Sequence, residues 1–165
     1  MSFLDSADDP KRAQRRPLLF FVLATLAVGA TASLVTEPNI ATWYAGLIHP
    51  TFAPPNWLFA PVWTTLYIAM AVAAWRVWRV TGLKSLELAA WAIQLFLNFL
   101  WSEIFFGLHQ IGMAFAEICL LVLLILATTL LFWRRDRLAG LLFLPYLAWT
   151  GFAAVLTHAF WVLNP

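Results

Sequence analysis

The chain has 165 residues, 63% of them hydrophobic and only 11% charged. A soluble domain carries about 25% charged residues, so this chain cannot cover its surface with polar groups in water, which excludes a water-soluble globular domain in favour of an integral membrane protein. A net charge of only +2 gives no ground for a nucleic-acid partner, and a single cysteine, Cys119, leaves no disulfide framework and no cysteine-based zinc site within one chain.

Residues 1–16 are polar, end in Lys11, Arg12, Arg15 and Arg16, and read as a basic mobile tail. Residues 17–165 read as one five-helix transmembrane domain, an all-α bundle with spans at about 18–36, 56–79, 86–106, 113–133 and 138–161. The first apolar run, with Ala30-Thr31-Ala32, has some features of a cleavable signal peptide, but its length favours a retained span. Glu37-Pro38 is expected to end it, and a short amphipathic turn is expected within Ile40–Ile48. Pro61 falls in the first turns of the second span, where a missing donor costs least. Pro145 lies inside the fifth, where it is expected to kink the helix.

The connection between the first two spans is the most distinctive stretch. Residues 43–67 hold three of the ten Trp and four of the nine Pro. Proline fixes φ and removes a backbone donor, so the connection is stiff. Amphipathic rings on a stiff connection suit a membrane interface or the lid of a ligand cavity.

Charge supports five spans. All ten Lys and Arg lie in the N-terminal stretch, at the 2–3 connection (Arg76, Arg79, Lys84) or at the 4–5 connection (Arg134, Arg135, Arg137). The positive-inside rule then puts the N-terminus in the cytoplasm and the C-terminus outside, as expected for a multi-pass protein of a bacterial inner membrane.

With that topology and a rise of about 1.5 Å per residue, Trp63 and Trp101 sit roughly 10 Å inside the outer ends of their helices. Asn98 and Gln94 share a face with Trp101, since positions i, i+4 and i+7 stack on one side of a helix. Glu117 lies deep in the fourth span, carried as the acid or paired with His109 or His158; an intramembrane acid points to function because a charge there is costly. Tyr146, Trp149 and Ala153 share a face of the fifth span. These groups outline a cavity in the outer half of the bundle, capped by residues 43–57, with Tyr44, Pro54, Pro55, Trp57 and Tyr67 as lid and support. Ordinary packing and interhelical hydrogen bonding are the competing readings for Trp63, Trp101, Trp149, Asn98 and Gln94. Trp75, Trp78, Trp91, Trp133 and Trp161 lie near span ends and read as interfacial belt residues. The small residues Ala27, Gly29, Ala30, Ala32 and Ser33 allow close helix approach, inside the bundle or at a dimer seam. No two His share a metal-binding spacing, and no nucleophile–base arrangement, phosphate loop or carboxylate pair stands out, so neither a metal nor conventional catalysis is indicated.

Several ordered motifs resemble the translocator protein, or tryptophan-rich sensory protein, family (TSPO). They are Trp43-Tyr44-x-x-Leu47-x-x-Pro50, Pro54-Pro55-x-Trp57, Pro61-Val62-Trp63-x-x-Leu66-Tyr67, Gln94-Leu95-x-x-Asn98-x-x-Trp101-x-x-x-Phe105-Phe106-Gly107, Pro145-Tyr146-Leu147-x-Trp149-x-x-Phe152-Ala153 and Trp161-x-x-Asn164. The resemblance implies five transmembrane helices, a homodimer, and a receptor or transporter that binds porphyrins such as protoporphyrin IX, sterols and isoquinoline or benzodiazepine-type drugs, with no covalent cofactor. It implies a cavity lined by Trp43, Trp63, Asn98, Trp101, Trp149, Ala153 and Leu156. Light-dependent porphyrin degradation, as an enzyme, and a purely structural or interaction role are the alternatives. The chain departs from the family pattern at His49, Phe52, Ser102-Glu103 and Met113, and His158 and Val162 replace the Tyr and Arg of the animal sterol pattern.

Overall fold

The computed structural model describes the backbone from Pro10 and side chains from Arg15 onward. The tail reading for residues 1–9 therefore lies outside the described residues. Five helices follow: α1 (Pro10–Ile40), α2 (Phe59–Thr81), α3 (Leu86–Ser102), α4 (Ile111–Arg135) and α5 (Arg137–Leu163). All five are long and apolar enough to cross a membrane, and together they make an integral multi-pass membrane protein.

The helices close into a ring. α1 packs on α2, α2 on α5, α5 on α4, α4 on α3, and α3 back on α1. Chain neighbours α2 and α3 touch little, so the interior is bounded by all five helices. One glycine sets the α1–α2 approach: a Cβ on Gly29 would stand 2.4 Å from the Tyr67 ring. Gly29 and the buried Ala32 thus serve packing inside the bundle, whereas Ala27, Ala30 and Ser33 face outward.

Helix ends follow local chemistry. α1 begins earlier and ends later than the sequence suggests, running through Pro38 to Ile40. Pro38 removes a single backbone donor, and the Asn39 side chain donates to the Val35 carbonyl at 2.8 Å, so the last turn survives. The expected short turn in the connection is a single 3₁₀ turn at Tyr44–Gly46. α3 continues into a π-helical turn at Glu103–Gly107, where Leu108 N–H donates to the Glu103 carbonyl at 2.8 Å. α5 remains helical through Pro145, which lies on its exposed side. Gly82, with φ 75°, ends α2 in a conformation that costs a glycine little.

The 2–3 and 4–5 connections meet at one end of the bundle. Arg76 pairs with Asp136 at 2.8 Å, and Arg135 Nε donates to Glu87 at 2.6 Å. Asp136 also caps α5 by accepting from the Leu138 and Ala139 amides. Partial burial alone would raise its pKa, but the Arg76 hydrogen bond and charge, with those two amides, outweigh this and hold it below the ordinary carboxylate range.

The interfacial-belt reading needs correction for three tryptophans. Trp91 is buried, and Trp75 and Trp78 are half-buried against the same core. α1 lies over two of them: its Phe21 ring meets Trp91 at 5.4 Å and Trp78 at 6.4 Å. Sequence position near a span end does not reveal which face a neighbouring helix will cover. Trp133 and Trp161 remain largely exposed, as a belt requires.

Candidate ligand site

Two aromatic clusters fill the interior, one running the length of the bundle and the other lying away from the cationic end. The first is built on Tyr67 and Tyr146, both buried, with Trp63, Trp101, Trp149 and Ala153 packed against it. The second holds the buried Tyr44 and Leu156, with Trp43 packed on it. Trp101 packs against both and joins them. Six of the seven residues expected to line the cavity belong to these two clusters, and the seventh, Asn98, is buried beside Tyr67.

Helical spacing places the polar groups. Gln94 and Asn98, four residues apart on α3, both point into the ring of helices. The Tyr67 hydroxyl donates to Asn98 Oδ1 at 2.7 Å, and the Tyr146 hydroxyl donates to Gln94 Oε1 at 2.9 Å. Gln94 Nε2 faces the Met70 sulfur at 3.8 Å. Asn98 thus spends its carbonyl oxygen inside the protein and keeps its amide Nδ2 as a donor. Trp63 leans on Tyr67 and Tyr146 at 5.6 and 6.1 Å between ring centres. Trp149 meets Phe59 and Phe152, and Trp101 stacks on Phe105 at 5.1 Å.

Among the described residues, four buried polar groups in this region have no hydrogen-bond partner: the indole N–H of Trp101, the indole N–H of Trp149, the Thr150 hydroxyl and both oxygens of Glu117. Neither His109 nor His158 pairs with Glu117. His109 bonds Asn39 at 3.1 Å and stacks on Trp43, while His158 lies against Phe115. Leaving a buried polar group unpartnered costs about 1–3 kcal/mol, and native interiors rarely tolerate several together. Thr150 escapes the sequence reading; its only signal is a hydroxyl four residues beyond Tyr146 in an apolar run.

The connection closes over one end. Tyr44 sits among Phe105, Phe106, Phe160 and His49, and burial pushes its hydroxyl pKa up. Asn164 clasps the connection from the far end of the chain: Ile48 N–H donates to its Oδ1 at 2.8 Å, and its Nδ2 donates to the Ile48 carbonyl at 3.1 Å. His49, at a departure from the family pattern, takes part in a 3.0 Å hydrogen bond with the Tyr44 carbonyl. Pro54 is half-buried and Pro55 exposed. Trp57 stands outside the group, 73% exposed, which suits a ring at a membrane interface better than a pocket wall. The rings touch one another, some edge-on, some tilted and some stacked. Two clefts, of about 550 and 630 Å³, lie at the opposite end and include none of the expected lining residues. Among the described residues no three His, Cys, Asp or Glu side chains converge as a metal site.

The order of these groups along five spans finds its match in one family. The model of the TspO/MBR family matches residues 21–162. The chain belongs to the TspO/MBR family. It is 41% identical over 148 residues to Protein CrtK of Rhodobacter capsulatus, covering 88% of this chain and 91% of that protein. It is 40% identical to Tryptophan-rich protein TspO of Archaeoglobus fulgidus, over 89% of this chain and 96% of the relative. Human Translocator protein is 39% identical over 88% of each chain. Membership of the TspO/MBR family supports a receptor-like role in the membrane.

Proposed function

We propose that this TspO/MBR family protein binds porphyrin-like tetrapyrroles, and other flat hydrophobic molecules such as sterols or isoquinoline drugs, between its helices. The observation that carries this reading is the set of unpartnered polar groups at Trp101, Trp149, Thr150 and Glu117 inside an aromatic interior. Such an interior offers what a largely apolar ligand with a few polar atoms requires: broad ring faces and sparse, placed hydrogen-bond donors and acceptors. In this reading Trp63 and Trp149 stack on the macrocycle, Asn98 Nδ2 and the two indole N–H groups meet acceptor atoms, and the side chains of the first cluster part to admit the ligand. The Tyr44 connection acts as its cover. The names translocator and sensory protein, carried by relatives, fit a protein that recognises such a molecule and passes it on or reports it. A homodimer in a bacterial inner membrane, with the cationic end in the cytoplasm, completes the proposal.

The test is quenching of intrinsic tryptophan fluorescence by protoporphyrin IX titrated into the detergent-solubilised protein. Trp63→Ala combined with Trp149→Ala should weaken binding at least about tenfold, or 1.4 kcal/mol. Undiminished affinity, measured by porphyrin absorbance so that the lost fluorophores do not matter, would count against the site.

A further inference from the structure

The two clefts at the cationic end adjoin one another around the α2–α3 turn. The larger, about 630 Å³, is polar: Thr81, Lys84, Ser85, Glu87, Arg134 and Arg135 contribute to its walls. The smaller, about 550 Å³, is apolar, formed between α1 and α3 by Phe20, Phe21, Leu83, Leu88, Ala89 and Trp91. Lys84, Ser85 and Leu86 line both.

The charges in the polar cleft do not balance. Three cations face a single acid, Glu87, and that acid is already paired with Arg135 at 2.6 Å. Among the described residues no carboxylate lies within ion-pairing distance of Lys84 or Arg134. Ser85 caps α3 by accepting from the Leu88 amide at 3.3 Å and lies 3.1 Å from Thr81 Oγ1, so its hydroxyl is engaged within the protein and holds the turn that carries Lys84. Two uncompensated cations in a concave site select an anion with several oxygens, such as a phosphate group. The apolar cleft next to it, walled by Phe20, Phe21, Leu88 and Trp91, suits a hydrocarbon chain.

We propose that this pair of clefts is a binding site for one anionic phospholipid, its phosphate held by Lys84 and Arg134 and its acyl chain lying in the α1–α3 groove against Phe20 and Leu88. A free phosphate would satisfy the polar cleft alone; the lipid is favoured because the two clefts share the residues at which head and chain would join. Arg135 stays with Glu87 and supports the wall from behind.

The test uses the full chain in neutral detergent. Native mass spectrometry counts bound lipid in mixtures of phosphatidylglycerol and phosphatidylcholine, and a thermal melt records protection by each. The wild-type protein should retain phosphatidylglycerol preferentially. Lys84→Gln with Arg134→Gln, both at exposed side chains, should lower that retention roughly tenfold. Arg137→Gln removes one cation at the same end outside both clefts and should leave retention unchanged. Ala89→Trp fills the apolar cleft and should weaken lipid retention while the cations remain. Equal retention of the two lipids, or an equal loss in Arg137→Gln, would reduce the effect to general surface charge and overturn the proposal. Inorganic phosphate or glycerol phosphate that protects as well as the lipid would make this a soluble-anion site instead and overturn it too.

Discussion

Gly29→Ala tests the packing on which the aromatic site rests. The added Cβ would lie 2.4 Å from Tyr67 Cε2 and 2.8 Å from Cδ2. Non-bonded carbons are comfortable at about 3.5–4.0 Å, so the ring or α1 must give way by more than about 1 Å. Tyr67 has little freedom to do so: it is 7% exposed and its hydroxyl is tied to Asn98 at 2.7 Å. Overpacking of this kind costs about 1–3 kcal/mol, while alanine in place of glycine gains up to about 1 kcal/mol of helix propensity. The net expectation is a loss of about 0–3 kcal/mol, a range that a single mutant cannot interpret. The double-mutant cycle with Tyr67→Ala can. Without the ring, Gly29→Ala keeps only its propensity gain and should become neutral or stabilising, giving a coupling of about 1–3 kcal/mol. Thermal unfolding in detergent, followed by circular dichroism, measures all four corners. A Gly29→Ala effect of the same size and sign in both backgrounds would refute the claim that Tyr67 sets the approach of α1 to α2.

Trp149→Phe keeps a ring but removes an N–H that has no partner in the folded chain. Stability should therefore hold or rise slightly, while porphyrin affinity falls by roughly threefold to tenfold, the worth of one hydrogen bond; a titration showing unaltered affinity would remove Trp149 Nε1 from the contact set. Asn164→Ala breaks both bonds to Ile48, and hydrogen–deuterium exchange in the peptide spanning residues 44–49 should accelerate roughly tenfold while exchange in α3 stays put. Slow exchange in that variant would show that Tyr44 burial alone holds the connection down. Acid should act through Asp136, whose folded-state pKa is depressed. Its contribution is complete above the unfolded value of about 3.9 and is lost as pH falls through the lower folded value. Asp136→Asn should thus lower the melting temperature at pH 7 and flatten its decline between about pH 5 and pH 3 relative to the unmodified chain. An equally steep decline in the variant would assign acid sensitivity to other carboxylates.

What the sequence determined by itself was local and periodic. Five apolar runs of spanning length, cations gathered at alternate connections, and the i, i+4, i+7 spacing of Gln94, Asn98 and Trp101 each need only the geometry of one helix in an apolar solvent. The inward aim of Asn98, Trp101 and Tyr146 follows from that periodicity, and the structure places them inside as expected. Partner choice was decided only by tertiary structure. Asn98 pairs with Tyr67 across 31 positions, Gln94 with Tyr146 across 52, and Asn164 with Ile48 across 116. Trp91 is buried because α1 crosses it, and Trp57 is exposed because none of the described residues covers it. Each depends on how far a helix is rotated and shifted against its neighbour. That is set by side chains interlocking across the ring, Gly29 against Tyr67 among them, and hydrophobic periodicity within one helix does not encode the rotation of the next.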